Sequence, residues 1–145
     1  MTWQLVLREI RRVGLPALAV RVQPAGKTLV NFETIFYAEP EGFERRLRLL
    51  GQRVEVRATA SSFGWVFGDG ESARTETAGG PYPVKDVVHE YVDAGVTVRP
   101  SVDVTYTAQW RVNGGGWQEI PQTVTVSGPA TDLSVVEGTP VRTGG

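Results

Sequence analysis

The sequence predicts an all-β sandwich preceded by one short helix, and three observations carry that prediction. From Leu18 onward, apolar residues tend to recur at every second position, the period of strands with one buried and one wetted face. Gly and Pro interrupt these runs at short intervals, as turns do in layered β folds. No helical segments alternate with the strands, which argues against a parallel α/β arrangement.

The helix comes first. Trp3, Val6, Leu7, Ile10 and Val13 recur at helical spacing, with Arg8, Glu9, Arg11 and Arg12 on the other side. Thr2 suits an N-cap, and Gly14 with Pro16 stops the helix. An isolated helix of this length is marginal in water. Its stripe is therefore expected to pack on the domain and cover a sheet edge or open end; the alternative is that it docks on a partner or continues a longer leader. Residues 1–17 form the helix and its connection, 18–138 the sandwich, and 139–145 a flexible tail.

In the sandwich, Leu47 and Leu49 alternate with Arg46 and Arg48. Val54, Val56 and Ala58 alternate with Arg53, Glu55 and Arg57, and Gly51 marks a turn or bulge between the two runs. The basic run Arg45, Arg46 and Arg48 suits a solvated edge that resists strand addition. The longest alternation is Val102, Val104, Tyr106, Ala108, Trp110 and Val112, rich in β-branched and aromatic side chains. Asn113 to Gly116 offers a hairpin turn. The return strand is expected from Trp117, with a pause at Pro121 and a restart over 123–126. A last strand follows near 132–137.

Composition narrows the function. The chain has 145 residues, enough for one domain, and its net charge is -1 from 15 basic and 16 acidic side chains. That balance lacks the basic footprint of a nucleic-acid binder. There are no cysteines, which removes disulfides, thiolate catalysis and zinc-thiolate sites. No run is apolar enough for a transmembrane segment, and Arg8, Arg11 and Arg12 break the only candidate signal region.

One motif stands out: Trp65-Val66-Phe67-Gly68-Asp69-Gly70. Trp65 and Phe67 are two apart, so both can enter the core from one strand. Asp69 and Gly70 suit a turn, the first bonding amides and the second taking positive φ. Downstream lie His89, Tyr91 and Gly95. Together these residues resemble the PKD (polycystic kidney disease) domain family, including PKD-like proteins of actinobacteria. The family's hexapeptide is usually Trp-Asp-Phe-Gly-Asp-Gly and is followed by His-x-Tyr and a Gly. The resemblance covers about Val54 to Val104. Val66 departs from it by replacing an Asp, and Thr97 by standing where a Tyr is common.

The resemblance implies an Ig-like (PKD-type) antiparallel β-sandwich in which His89 and Tyr91 support the fold. It also implies a non-enzymatic interaction or spacer domain, extracellular or on the cell surface, with a protein or cell-surface glycan as partner and the leader absent from this chain. The alternative is a carbohydrate-binding module accessory to a secreted hydrolase.

The residues themselves point the same way. His89 is the one histidine, and no Gly-x-Ser-x-Gly elbow accompanies it, so no catalytic residue is expected. Asp69, Glu71 and Asp86 offer a loop cluster but not the several oxygen ligands calcium wants, and no metal or cofactor is expected. Asp103 and Glu119 flank the long hairpin at water-facing positions, unlike the paired carboxylates of a glycosidase cleft. Phe63, Tyr82 and Trp117 lie near turns and are candidates for a ligand-binding aromatic platform, whereas Trp110 falls on the apolar face. Trp65→Ala should destabilise the domain by about 3–5 kcal/mol, as large core truncations do. An unchanged denaturant midpoint would contradict the core role.

Overall fold

A computed structural model describes residues 1–138; the tail expected at 139–145 lies outside the described residues. Helix α1 (Trp3–Val13) precedes β1 (Arg21–Gln23), β2 (Lys27–Leu29), β3 (Thr34–Tyr37), β4 (Phe43–Leu49) and β5 (Gln52–Val66). There follow β6 (Ser72–Thr75), β7 (Val88–His89), β8 (Val96–Val98), β9 (Ser101–Val112), β10 (Gln118–Glu119), β11 (Val124–Ser127) and β12 (Leu133–Val136). The fold is mostly β with one short helix, as expected.

The largest sheet is built on β5 and β9, which pair antiparallel from Val54↔Val112 to Val66↔Ser101. The far edge of β5 is shared by β4 and β6, and that of β9 by β10 and β11. The β5–β9 register shifts between Ala60 and Ser62. Before this bulge the even positions Val54, Val56 and Ala58 are buried; after it the odd positions Phe63, Trp65 and Phe67 are. One inserted residue reverses the parity of everything beyond it. Strand β9 keeps one parity throughout, burying Val102, Val104, Tyr106, Ala108 and Trp110.

Strands β4 and β5 are joined by Leu50 and Gly51 at φ 49° and 74°. Both residues take positive φ, as a two-residue turn matched to strand twist requires. Strand β4 is an edge strand, so its arginines do border solvent.

Two smaller sheets complete the layers: β1-β3-β7, and β2-β12-β8, in which β12 runs parallel to β2. A buried 2.7 Å hydrogen bond between the hydroxyls of Thr28 and Thr34 links one small sheet to the other. Phe36, Val98, Leu133 and Val135 from these sheets enter the same core cluster as the inward side chains of β5 and β9.

Helix α1 adds Val6, Leu7 and Ile10 to that cluster. Thr2 caps it, accepting from the Leu5 amide at 3.4 Å, and Gly14 ends it at φ 86°. The connection is held down by Tyr106, whose hydroxyl donates to the Pro16 carbonyl at 2.6 Å. Gly128 passes so close that a Cβ there would lie 2.1 Å from the Leu18 oxygen, so no side chain fits without moving backbone. The helix is thus part of the domain core. A chain beginning at Leu15 should melt at lower temperature and bind a hydrophobic dye. Unchanged melting would show that the helix does not support the fold.

Candidate functional site

The Trp65 to Gly70 motif straddles the end of β5. Trp65 is fully buried and Phe67 nearly so, while Val66 lies on the opposite face at 39% exposure. The Trp65 indole N–H donates to Thr75 Oγ1 at 2.9 Å, tying β5 to the end of β6. The Phe67 amide donates to the Glu71 carbonyl at 3.1 Å and closes the turn. Gly68 sits at φ 88°, and a Cβ on it would come within 2.7 Å of the Arg99 nitrogen. Only glycine permits that approach between this turn and the β8–β9 connection. Gly70 and Gly95 also take positive φ, and the Gly95 amide donates to Val135 O at 2.7 Å.

Asp69 does more than cap its own turn. Its Oδ1 accepts from the Glu71 amide at 3.0 Å, and its Oδ2 lies 2.6 Å from His89 Nε2. With Asp69 ionised, Nε2 must be the donor, which turns Nδ1 toward Glu71 Oε2 at 3.7 Å. The imidazole lies flat on Phe67, with centroids 4.1 Å apart and planes within 2°. Tyr91 meets its edge and donates its hydroxyl to the Phe67 carbonyl at 2.7 Å. Motif and His-x-Tyr element therefore form one network.

Partial burial pushes the Asp69 carboxyl up. The His89 hydrogen bond, the Glu71 amide and the attraction of His89 outweigh it and hold the group below its ordinary value. Burial, assisted by the Asp69 charge, pushes the Tyr91 hydroxyl well above its ordinary value, so it stays a neutral donor.

This arrangement differs from the machinery of a nucleophilic hydrolase. Both imidazole nitrogens face carboxylates, and among the described residues no hydroxyl hydrogen-bonds either one. A triad would need a nucleophile on one side of the ring. Asp69, Glu71 and His89 do bring potential ligand atoms within 4.8 Å of one another, and Asp86 is not in that group. Two carboxylates and a nitrogen already bound to one of them make a poor calcium cage.

The aromatic platform needs correction. Phe63 lies inside β5, is 3% exposed and stacks on Trp65, so it cannot meet a ligand. Tyr82 is exposed, but it borders a groove with Phe32 and Lys85, whereas Trp117 borders another with Arg46, Glu55 and Arg111. Trp117 precedes β10, half-buried, with the Arg57 and Arg111 guanidinium carbons 3.9 and 4.5 Å from its ring centroid. The sequence marks Trp117 as a candidate but not the arginine bed beneath it. The Arg53, Glu55, Arg57 alternation placed those charges on one face, but the register that adds Arg111 was not legible.

No family model, curated protein or solved structure matches the chain. Among the described residues, no helix is long and apolar enough to cross a membrane.

The lowered Asp69 pKa fixes a sign. The stability it contributes is complete above about pH 4, the ordinary Asp range, and is lost as pH falls through the lower folded value. Asp69→Asn should therefore cost about 1 kcal/mol at pH 7 and flatten the fall in melting temperature between about pH 5 and 2. An unaltered acid slope would show that Asp69 is not so engaged.

Proposed function

We propose that the chain is a non-enzymatic interaction or spacer domain of the Ig-like, PKD type, working outside the cell or at its surface. The observation that supports this best is the use made of His89. It is the chain's one histidine, the side chain most often used as a general base, and its two nitrogens face Asp69 and Glu71 while its ring stacks on Phe67. The union of Trp65, Phe67 and Asp69 with His89 and Tyr91 gives the resemblance to PKD domains a physical basis, since these residues lock two distant segments together. Val66, where the family has an Asp, faces outward and leaves that lock intact.

A second reading, the carbohydrate-binding module, draws support from Trp117 in its groove; Phe63 adds nothing to it. The purified chain should turn over no ester, peptide or glycan substrate, and His89→Ala should change only its stability. Turnover that vanishes in His89→Ala would overturn the non-enzymatic assignment.

A further inference from the structure

The outer face of the largest sheet concentrates arginine in a chain of nearly neutral charge. Cross-strand register sets Arg48 against Arg53, Arg46 against Glu55, and Glu55 against Arg111. Arg111 donates twice to Glu55 Oε2, at 2.7 and 3.1 Å, and Arg57 donates to Gln109 at 2.5 Å. The Arg111 bond and, less strongly, the charges of Arg46 and Arg53 lower the Glu55 carboxyl. Arg46, Arg48 and Arg53 have no ion-pair partner among the described residues. Arg48 and Arg53 stand directly opposite, a like-charge pairing that costs stability unless an anion lies between them.

Trp117 shares a groove with Arg46, and Arg48 and Arg53 continue the basic face along β4 and β5. Arg57 and Arg111, each held by its own partner, bed the indole in place. It lines an open groove of about 410 Å³ together with Glu44, Arg45, Arg46, Glu55 and Arg111. The ring is thus oriented before any ligand arrives, which lowers the cost of binding.

We propose that this outer face binds an acidic polysaccharide, with its carboxylate or sulfate groups on Arg46, Arg48 and Arg53 and a sugar ring against Trp117. The charge calls for an anion, and guanidinium forks suit carboxylate and sulfate alike. The single aromatic ring selects among anions. A single-stranded nucleic acid stacks successive bases on several rings, and this strip offers one. A protein partner anchors its aromatic and arginine contacts in pockets sealed from water, whereas this groove is open and the outward positions of β4, β5 and β9 around it carry Arg, Glu, Gln and Thr. A sugar needs one flat ring for its C–H face and polar groups around it.

The inference rests on the non-enzymatic interaction reading and names its ligand class. The test uses the full chain in calorimetry and affinity electrophoresis, with polygalacturonate as the carboxylate source and heparin as the sulfate source. Dextran and oligothymidylate serve as the neutral-sugar and nucleic-acid comparisons. At least one acidic polymer should bind, more weakly as salt screens the arginines. Arg48→Gln with Arg53→Gln should weaken binding about tenfold or more, and Trp117→Ala should abolish it, both with melting temperature nearly unchanged. The site is overturned by three results: no binding to either acidic polymer, dextran binding as tight and indifferent to the arginine changes, or oligothymidylate bound in preference to both. Polymer length after incubation separates the two ideas. Bound but shortened polymer sinks the non-enzymatic reading and keeps the site, whereas intact polymer that never binds sinks the site alone.

Discussion

Ser61, the extra residue at the bulge in β5, decides which side chains of the second half of that strand face the core. Its hydroxyl donates to the Thr105 carbonyl at 3.0 Å, so the irregular point is itself anchored to β9. Without the shift, Phe63, Trp65 and Phe67 would turn to solvent and Ser62, Gly64 and Val66 would face the core. The aromatic half of the core, the seat of the motif and the stack on His89 all follow from that single insertion.

The motif network and the arginine strip sit at opposite ends of β5 and solve different problems. At the end of β5, polar groups are matched to one another: the hydrogen bonds of Asp69, His89 and Tyr91 each satisfy a donor or acceptor, and the rings cover what remains. On the outer face, the charge is left partly unmatched. Networks of the first kind rigidify a fold, while unmatched surface charge costs little stability in water and leaves attraction available to a partner.

Local pattern made much of the fold legible. The helix and its caps, the β9 alternation, the Gly51 turn and the Trp65–Phe67 pair could each be read within a few residues. Phe63 shows where such reading fails. Its odd parity matched Trp65 and Phe67, but the even parity of Val54 to Ala58 hid the fact that one bulged strand carries both. The Asp69–His89 bond joins residues 20 apart, and nothing local encodes it; only the resemblance to PKD domains put those residues in one group. The bed under Trp117 needed the β5–β9 register, which periodicity does not specify.

That same register has a kinetic side. The β5–β9 ladder joins residues far apart in the chain, 44 at Ser61–Thr105 and 56 at Glu55–Arg111. Closing such loops costs entropy before the contacts repay it. The β4–β5 hairpin, closed by two residues, can form in microseconds, whereas the central ladder must wait for a long search, and sheets dominated by such pairings fold in about milliseconds to seconds. Helix α1 has no finished core to dock on until then. Its apolar stripe therefore stays uncovered through most of the search, and that is where a chaperone that captures apolar segments would find its hold.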